Sequence, residues 1–172
     1  MNIRRAWAMP NKWTFKIKPI DELLNKYIQL QGANWADPFC GHSLRAQFRN
    51  DLDEKNAFTC SHKDALEFVT ALPAELEGAL FDPPYSPGQM ARAYKNAGRK
   101  VGMKETQNAT FYSKIRNELA PKIKIGGIVI SFGWNSTGMG KKRGFEPIEM
   151  LIINHGSAIN DTLVLVERKN DE

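Results

Sequence analysis

Four acidic residues, Asp37, Asp51, Asp64 and Asp82, each follow a short apolar or extended segment in chain order, with amphipathic stretches between later segments. Strands that stop at carboxylates and alternate with helices predict an α/β sandwich around a mainly parallel sheet, with ligands at the carboxyl ends of the strands. Four such coincidences are hard to produce from solvated loops alone. The 172 residues suffice for one core and leave no Pro/Gly-rich linker for a second. One domain over 1–172 is therefore expected. With 42% apolar and 25% charged residues the composition excludes a disordered or fibrous chain. The longest apolar runs, Gly127–Phe132 and Met150–Ile153, are far below the ~18 residues of a membrane span. Met1–Pro10 has no apolar stretch after its arginines and does not read as a signal peptide. Cys40 and Cys60 belong to no CxxC or Cys/His cluster, so a cytoplasmic protein without structural metal is expected.

Periodicity places a helix over Asp21–Gln31 and a strand ending at Asp37-Pro38-Phe39-Cys40-Gly41. Arg45–Arg49 reads as extended, Ala65–Leu72 as a helix capped by Asp64, and Gly78–Phe81 as a buried strand. Residues 86–108 read as a long functional loop, Ala109–Lys122 as a helix, and Gly127–Phe132 as a buried strand. Pro147–Asn154 and Thr162–Glu167 are expected to pair antiparallel.

Asp82-Pro83-Pro84-Tyr85 is the most informative tetrapeptide. Just after a strand, it collects a carboxylate, a rigid carbonyl and an aromatic face, which is what an exocyclic amino group on a planar base requires. A plain turn closed by an Asx motif uses the same residues, so context decides. Net charge is +5, from 24 Lys+Arg against 19 Asp+Glu. Acids dominate from Arg45 to Tyr85, eight to four, and bases from Ser86 to Lys124, nine to two. Either one face meets phosphates or the lysines solvate helices. His42, His62 and His155 lack metal-ligand spacing and read as loop residues.

Together these segments resemble the S-adenosylmethionine-dependent amino-methyltransferases of DNA, in the adenine-N6 branch with a DPPY signature. Asp37–Gly41, Asp51-Leu52, Asp64-Ala65 and Asp82–Tyr85 are similar to that family's motifs I to IV, and Thr14–Ile20 to its motif X. The start of the chain, DPPYSP and SFGWNS…GKKRGFE resemble the small adenine methylases of phages and mobile elements. The resemblance implies a Rossmann-like class I methyltransferase fold, a seven-strand-type sheet with an antiparallel final hairpin, and no separate target-recognition domain. It implies methyl transfer from S-adenosylmethionine to the N6 amine of a flipped adenine in DNA, without a metal. Asp82 and the Pro83 carbonyl would accept the amine, with Pro84 beside them and Tyr85 stacking on the base. Thr14, Phe15, Lys18, Asp37, Phe39 and Gly41 would flank the cofactor, Asp51 its ribose, and Leu52, Asp64 and Ala65 its adenine. Trp134 and Asn135 would border the base, or Trp134 would simply pack on the sheet. Arg92, Lys95, Arg99 and Lys100, with Lys141, Lys142 and Arg143, are expected to grip DNA phosphates because both segments are expected at the catalytic edge. The usual GxG is replaced by Gly41-His42-Ser43, and only nine residues separate Gly41 from Asp51. The first crossover helix is therefore expected to be missing or reduced. An RNA base methyltransferase and a catalytically silent cofactor- or DNA-binding subunit are the competing readings.

Overall fold

A computed structural model describes residues 1–29, 33–59, 61–98, 108–156 and 159–171, without the side chains of 108 and 109. Its elements are β1 (Asn2–Trp7), a 3-10 turn (Thr14–Lys16), α1 (Lys18–Tyr27), β2 (Ala33–Asp37), β3 (Ala46–Arg49), α2 (Ala65–Thr70) and β4 (Leu76–Phe81). There follow α3 (Pro87–Asn96), α4 (Asn108–Leu119), β5 (Ile123–Gly133), a 3-10 turn (Lys141–Arg143), β6 (Phe145–Asn154) and β7 (Thr162–Lys169). The strands form one seven-stranded sheet in the order β1-β6-β7-β5-β4-β2-β3. Only β7 runs against its neighbours, so the carboxyl ends of the other six share one edge.

Alternation along the strands feeds two cores. Ala79, Phe81 and Val129 face α2 and α4, where they pack with Val69, Ile115 and Leu119. Leu80 and Ile130 face the other way and meet Ile20, Leu23 and Leu24 of α1. Each of these leucines and isoleucines is fully buried, a contribution of about 1.5–3 kcal/mol apiece.

The expected final hairpin and the shortened first crossover are both present: residues 38–45 join β2 to parallel β3 without a helix. Three expectations are corrected and one element was not foreseen. The helix expected over Asp21–Gln31 begins earlier, at Lys18, because Pro19 fits its first turn, and it stops at Tyr27. No strand precedes Asp64 among the described residues of 50–64, so Asp64 marks a helix start and not a strand end. Much of the expected loop at 86–108 is α3, started by Pro87 and by the Ser86 side chain, which accepts from the Gln89 amide. Finally, β1 was not anticipated from the sequence. It lies parallel to β6, and the buried Glu149 ties it down by accepting from Arg4 Nε at 2.9 Å, Lys26 Nζ at 2.6 Å and Tyr27 Oη at 2.7 Å.

Candidate active site

Strand β4 ends at Phe81 because two prolines follow Asp82 and can donate nothing to a ladder. The tetrapeptide Asp82–Tyr85 is then fixed from three sides. Tyr112 Oη of α4 donates to the Pro84 carbonyl at 2.8 Å. Gln89 Oε1 accepts from the Tyr85 amide at 2.6 Å while the Gln89 amide donates to Ser86 Oγ at 3.2 Å, a reciprocal arrangement like a capping box. The Asp82 carboxylate accepts from the hydroxyls of Tyr85 and Thr14. Burial pushes the Asp82 carboxyl up to about 6, against those two hydrogen bonds, and burial together with Asp82 pushes the Tyr85 hydroxyl far up as well.

The tetrapeptide is a wall between cavities. On one side lies a cavity of about 450 Å3 that contains Thr14, Phe39, Asp51, Leu52, Asp64 and Ala65 along with all four wall residues. It continues past Thr14, Phe39 and Asp82 into a second space of about 370 Å3 beside Phe15, Gly41 and His42. On the other side, Pro83, Pro84 and Tyr85 line a cavity of about 310 Å3 with Tyr112, Arg116, Phe132, Trp134 and Asn135. Trp134 is 42% exposed at its mouth, its ring edge-on to Tyr85 with centroids 5.6 Å apart.

The helix-free turn after β2 is ordered by side chains outside it. Asp51 Oδ2 accepts from the Gly41 amide at 3.1 Å, and its Oδ1 accepts from Asp53 N at 2.8 Å. Gly41 has φ +50°, a backbone state that costs glycine little. Asn56 donates to the Gly41 carbonyl, and buried Asn50 donates to Pro38 O at 3.2 Å and Lys63 O at 3.0 Å. His42 is stacked between Trp13, at 3.9 Å between centroids, and Phe58, at 4.6 Å.

Most residues expected at the cofactor side are thus brought together: Thr14, Phe39, Asp51, Leu52, Asp64 and Ala65 in one cavity, Phe15 and Gly41 in its extension. Two are not. Lys18 is exposed on α1 and lines none of the cavities. Asp37 is wholly buried at the end of β2, with Oδ1 accepting from Phe39 N at 3.2 Å and Oδ2 without a donor among the described residues. Burial pushes its carboxyl well up, and Asp82 and Asp51 push it further. Asp64 reaches the cavity, but it also caps α2 and accepts from Tyr94 Oη at 2.6 Å.

The two basic segments part company. Arg92 and Lys95 are exposed on α3, which starts just after Tyr85 at the carboxyl edge of the sheet; Arg99 and Lys100 lie outside the described residues. Lys141, Lys142 and Arg143 are at the opposite edge, which corrects the expectation that they lie beside Asp82–Tyr85. Phe81 is level with Ser131, whereas Phe145, just after the basic turn, pairs with Lys169, one position beyond the Arg168 partner of Ile128. That places the turn about 17 Å down the sheet from Asp82, at ~3.3 Å per residue. Arg143 is moreover engaged internally, donating to Asn117 Oδ1 at 2.7 Å, Met139 O at 2.6 Å and Ser113 Oγ at 3.0 Å.

Sequence reasoning missed Trp13, His42, Phe58 and Arg116. The replacement of GxG by Gly41-His42-Ser43 was a signal for His42; nothing local marked Arg116 within α4. Among the described residues no group of three His, Cys, Asp or Glu side chains is placed to hold a metal ion, and none of their helices is long and apolar enough to cross a membrane.

No family model matches the chain, and no curated protein matches it in sequence. Solved structures do match its fold. NodS, an N-methyltransferase from Bradyrhizobium japonicum WM9, aligns with a TM-score of 0.59 at 9% identity over 90% of this chain and 96% of its own. The chain has the class I methyltransferase fold. Within that fold, 1,6-didemethyltoxoflavin-N1-methyltransferase from Burkholderia thailandensis, solved with S-adenosylhomocysteine, aligns with a TM-score of 0.56 at 14% identity over 90% of this chain and 78% of its own. TrmN from Thermus thermophilus aligns with a TM-score of 0.54 at 17% identity over 89% of this chain, which spans about half (49%) of TrmN's length.

Proposed function

We propose that the chain transfers a methyl group from S-adenosylmethionine to the N6 amine of adenine in DNA. The observation that carries this reading is the position of Pro83–Tyr85 as the shared wall of two cavities, one for the methyl donor, which Asp82 lines as well, and one for a planar base. The donor side fits a cationic nucleoside. Asp51, Asp64 and Asp82 line it, a concentration of carboxylates that favours a sulfonium and an ammonium group. Each Asp51 oxygen already accepts one backbone N–H and keeps a second lone pair for a ribose hydroxyl. Leu52 and Phe39 supply apolar surface for a purine.

When bound, the donor supplies an electrophilic methyl carbon on sulfur. Asp82 and the Pro83 carbonyl accept the two N–H groups of the amine, which aims the nitrogen lone pair at the donor side. For this, the Tyr85 hydroxyl must leave Asp82, and the freed ring becomes the stacking surface for the base opposite Trp134. Asp82 must be ionised to accept, so activity falls below about pH 6. The alkylated nitrogen passes its extra proton to water, and Asp82 orients the amine without having to remove that proton. Arg92 and Lys95 on α3 hold phosphates beside the site.

Tritium transfer from labelled S-adenosylmethionine into DNA and into RNA, with Asp82→Ala as control, tests this. Label in DNA that depends on Asp82 is expected. Label in RNA alone moves the substrate to RNA, and label in neither, from protein that binds the donor, supports a silent subunit.

A further inference from the structure

Arg116 lines the base cavity and forms no ion pair among the described residues. It stands one turn after Tyr112 on α4, so both side chains meet the same cavity wall. Its Nε is buried with no hydrogen-bond partner among the described residues, and its guanidinium lies over the Phe81 ring at 4.9 Å. The carboxylate that acts on it, Glu167, is already accepting from the amides of Met139 at 2.6 Å and Gly140 at 2.9 Å, and Arg143 adds repulsion. Burial accordingly pulls the Arg116 guanidinium down from its usual range. Arg116 is partly buried, and leaving its buried Nε–H unanswered costs the fold stability that a methionine of similar length would keep.

We propose that Arg116 determines specificity by donating a hydrogen bond to a ring nitrogen flanking the amine, N1 or N7, of an adenine in the 310 Å3 cavity. The inference rests on the adenine reading of the site. While Asp82 and Pro83 accept from the amine on one side of the ring plane's edge, Arg116 supplies the complementary donor, and the pair defines which edge of the base faces the methyl donor. A charged donor to a neutral acceptor is stronger than a neutral pair, and the Phe81 face retains the cation meanwhile.

The test compares wild type and Arg116→Met on random-sequence DNA made with adenine, with 1-deazaadenine or with 7-deazaadenine. Wild type is expected to lose about tenfold in kcat/KM on one analogue and little on the other. Arg116→Met is expected to show that same loss on adenine with no further loss on the sensitive analogue, unchanged S-adenosylmethionine affinity, and a melting temperature equal to or above wild type. A melting temperature several degrees lower makes Arg116 structural and overturns the proposal without any substrate. Full Arg116→Met activity on adenine, or equal sensitivity of both proteins to the analogues, overturns it while the functional reading stands. No wild-type transfer to any DNA overturns the functional reading and this inference together.

Discussion

Two connections between parallel strands dispense with an α-helix, and they do opposite things. Residues 38–45 carry the chain from β2 to β3, and residues 134–144 from β5 to β6. Such crossovers ordinarily take a dozen or more residues and a helix. In the first, polar backbone groups are answered from outside the sheet by Asp51, Asn50 and Asn56, and the Trp13–His42–Phe58 stack stands where helix packing would. Its inner surface is left facing the donor cavity. In the second, the answer comes from the sheet itself: Glu167 of β7 takes the Met139 and Gly140 amides, and buried Met139 fills the space. Approach is so close that a Cβ on Gly138 would meet Glu167 Oε2 at 2.0 Å. The first loop lines one cavity throughout, whereas the second gives Trp134, Asn135 and Thr137 to the other cavity and then, from Gly138 to Gly140, seals a face against Glu167.

The contrast can be broken most sharply at the wall between cavities. Asp82→Ala is expected to lower kcat for methyl transfer by ~10²–10³-fold, the scale for losing a preorganised polar partner, with donor affinity by calorimetry within a few-fold of wild type. Loss of donor binding instead would give Asp82 a cofactor role. At the sealed loop, Glu167→Ala leaves two amides unanswered and is expected to lower unfolding free energy in urea by ~2–4 kcal/mol, with DNA affinity of the folded protein unchanged.

Asp82 also yields a pH signature of stability. Its carboxyl sits at about 6 in the folded protein against ~3.9 unfolded, so below pH 4 both states are protonated and burial carries no ionisation cost. As pH rises through 6 the fold loses about 3 kcal/mol on this account. Asp82→Asn should therefore be more stable than wild type at pH 8 by nearly that amount and near wild type at pH 4, read from urea unfolding at the two values. Smaller again is the lining loop: His42→Ala is expected to weaken donor binding about tenfold with kcat retained, and His42→Phe to restore it, because two stacked pairs at ~0.5–1.5 kcal/mol each order that loop. Least in size is the charge contrast. Arg92→Ala with Lys95→Ala should reduce affinity for all DNA sequences by a few-fold and flatten its salt dependence, while Lys141→Ala with Lys142→Ala should change neither.

Elements whose apolar spacing is periodic were legible: α1, α2, α4 and the strands β4 to β7 lie near where their residues put them. So was the tetrapeptide, because consecutive prolines after a strand admit few geometries. What escaped depended on partners distant in sequence. Strand β1 alternates only weakly and becomes a strand through β6, and α3 has few apolar residues apart from Met90, so its composition resembled a loop. The basic turn at 141–143 looked like part of the active edge because it follows Trp134 closely. Its true position follows from strand direction, which charge and spacing do not encode. Arg116 was hidden for a similar reason: a helical arginine is ordinary until Phe81 and Trp134 are known to surround it.

The pairing of β1 with β6 carries a consequence in time. Arg4 and Glu149 are 145 positions apart, and Thr14, which reaches Asp82, lies seven positions beyond the end of β1. A contact of such span closes slowly, after the intervening chain has been ordered. The donor cavity therefore acquires its Thr14 wall only once residues 145–154 exist and have joined the sheet. Ligand binding at that wall would report that the chain through β6 has folded, so a ribosome-bound or cleaved fragment ending before β6 would carry Asp82–Tyr85 without the finished cavity beside it.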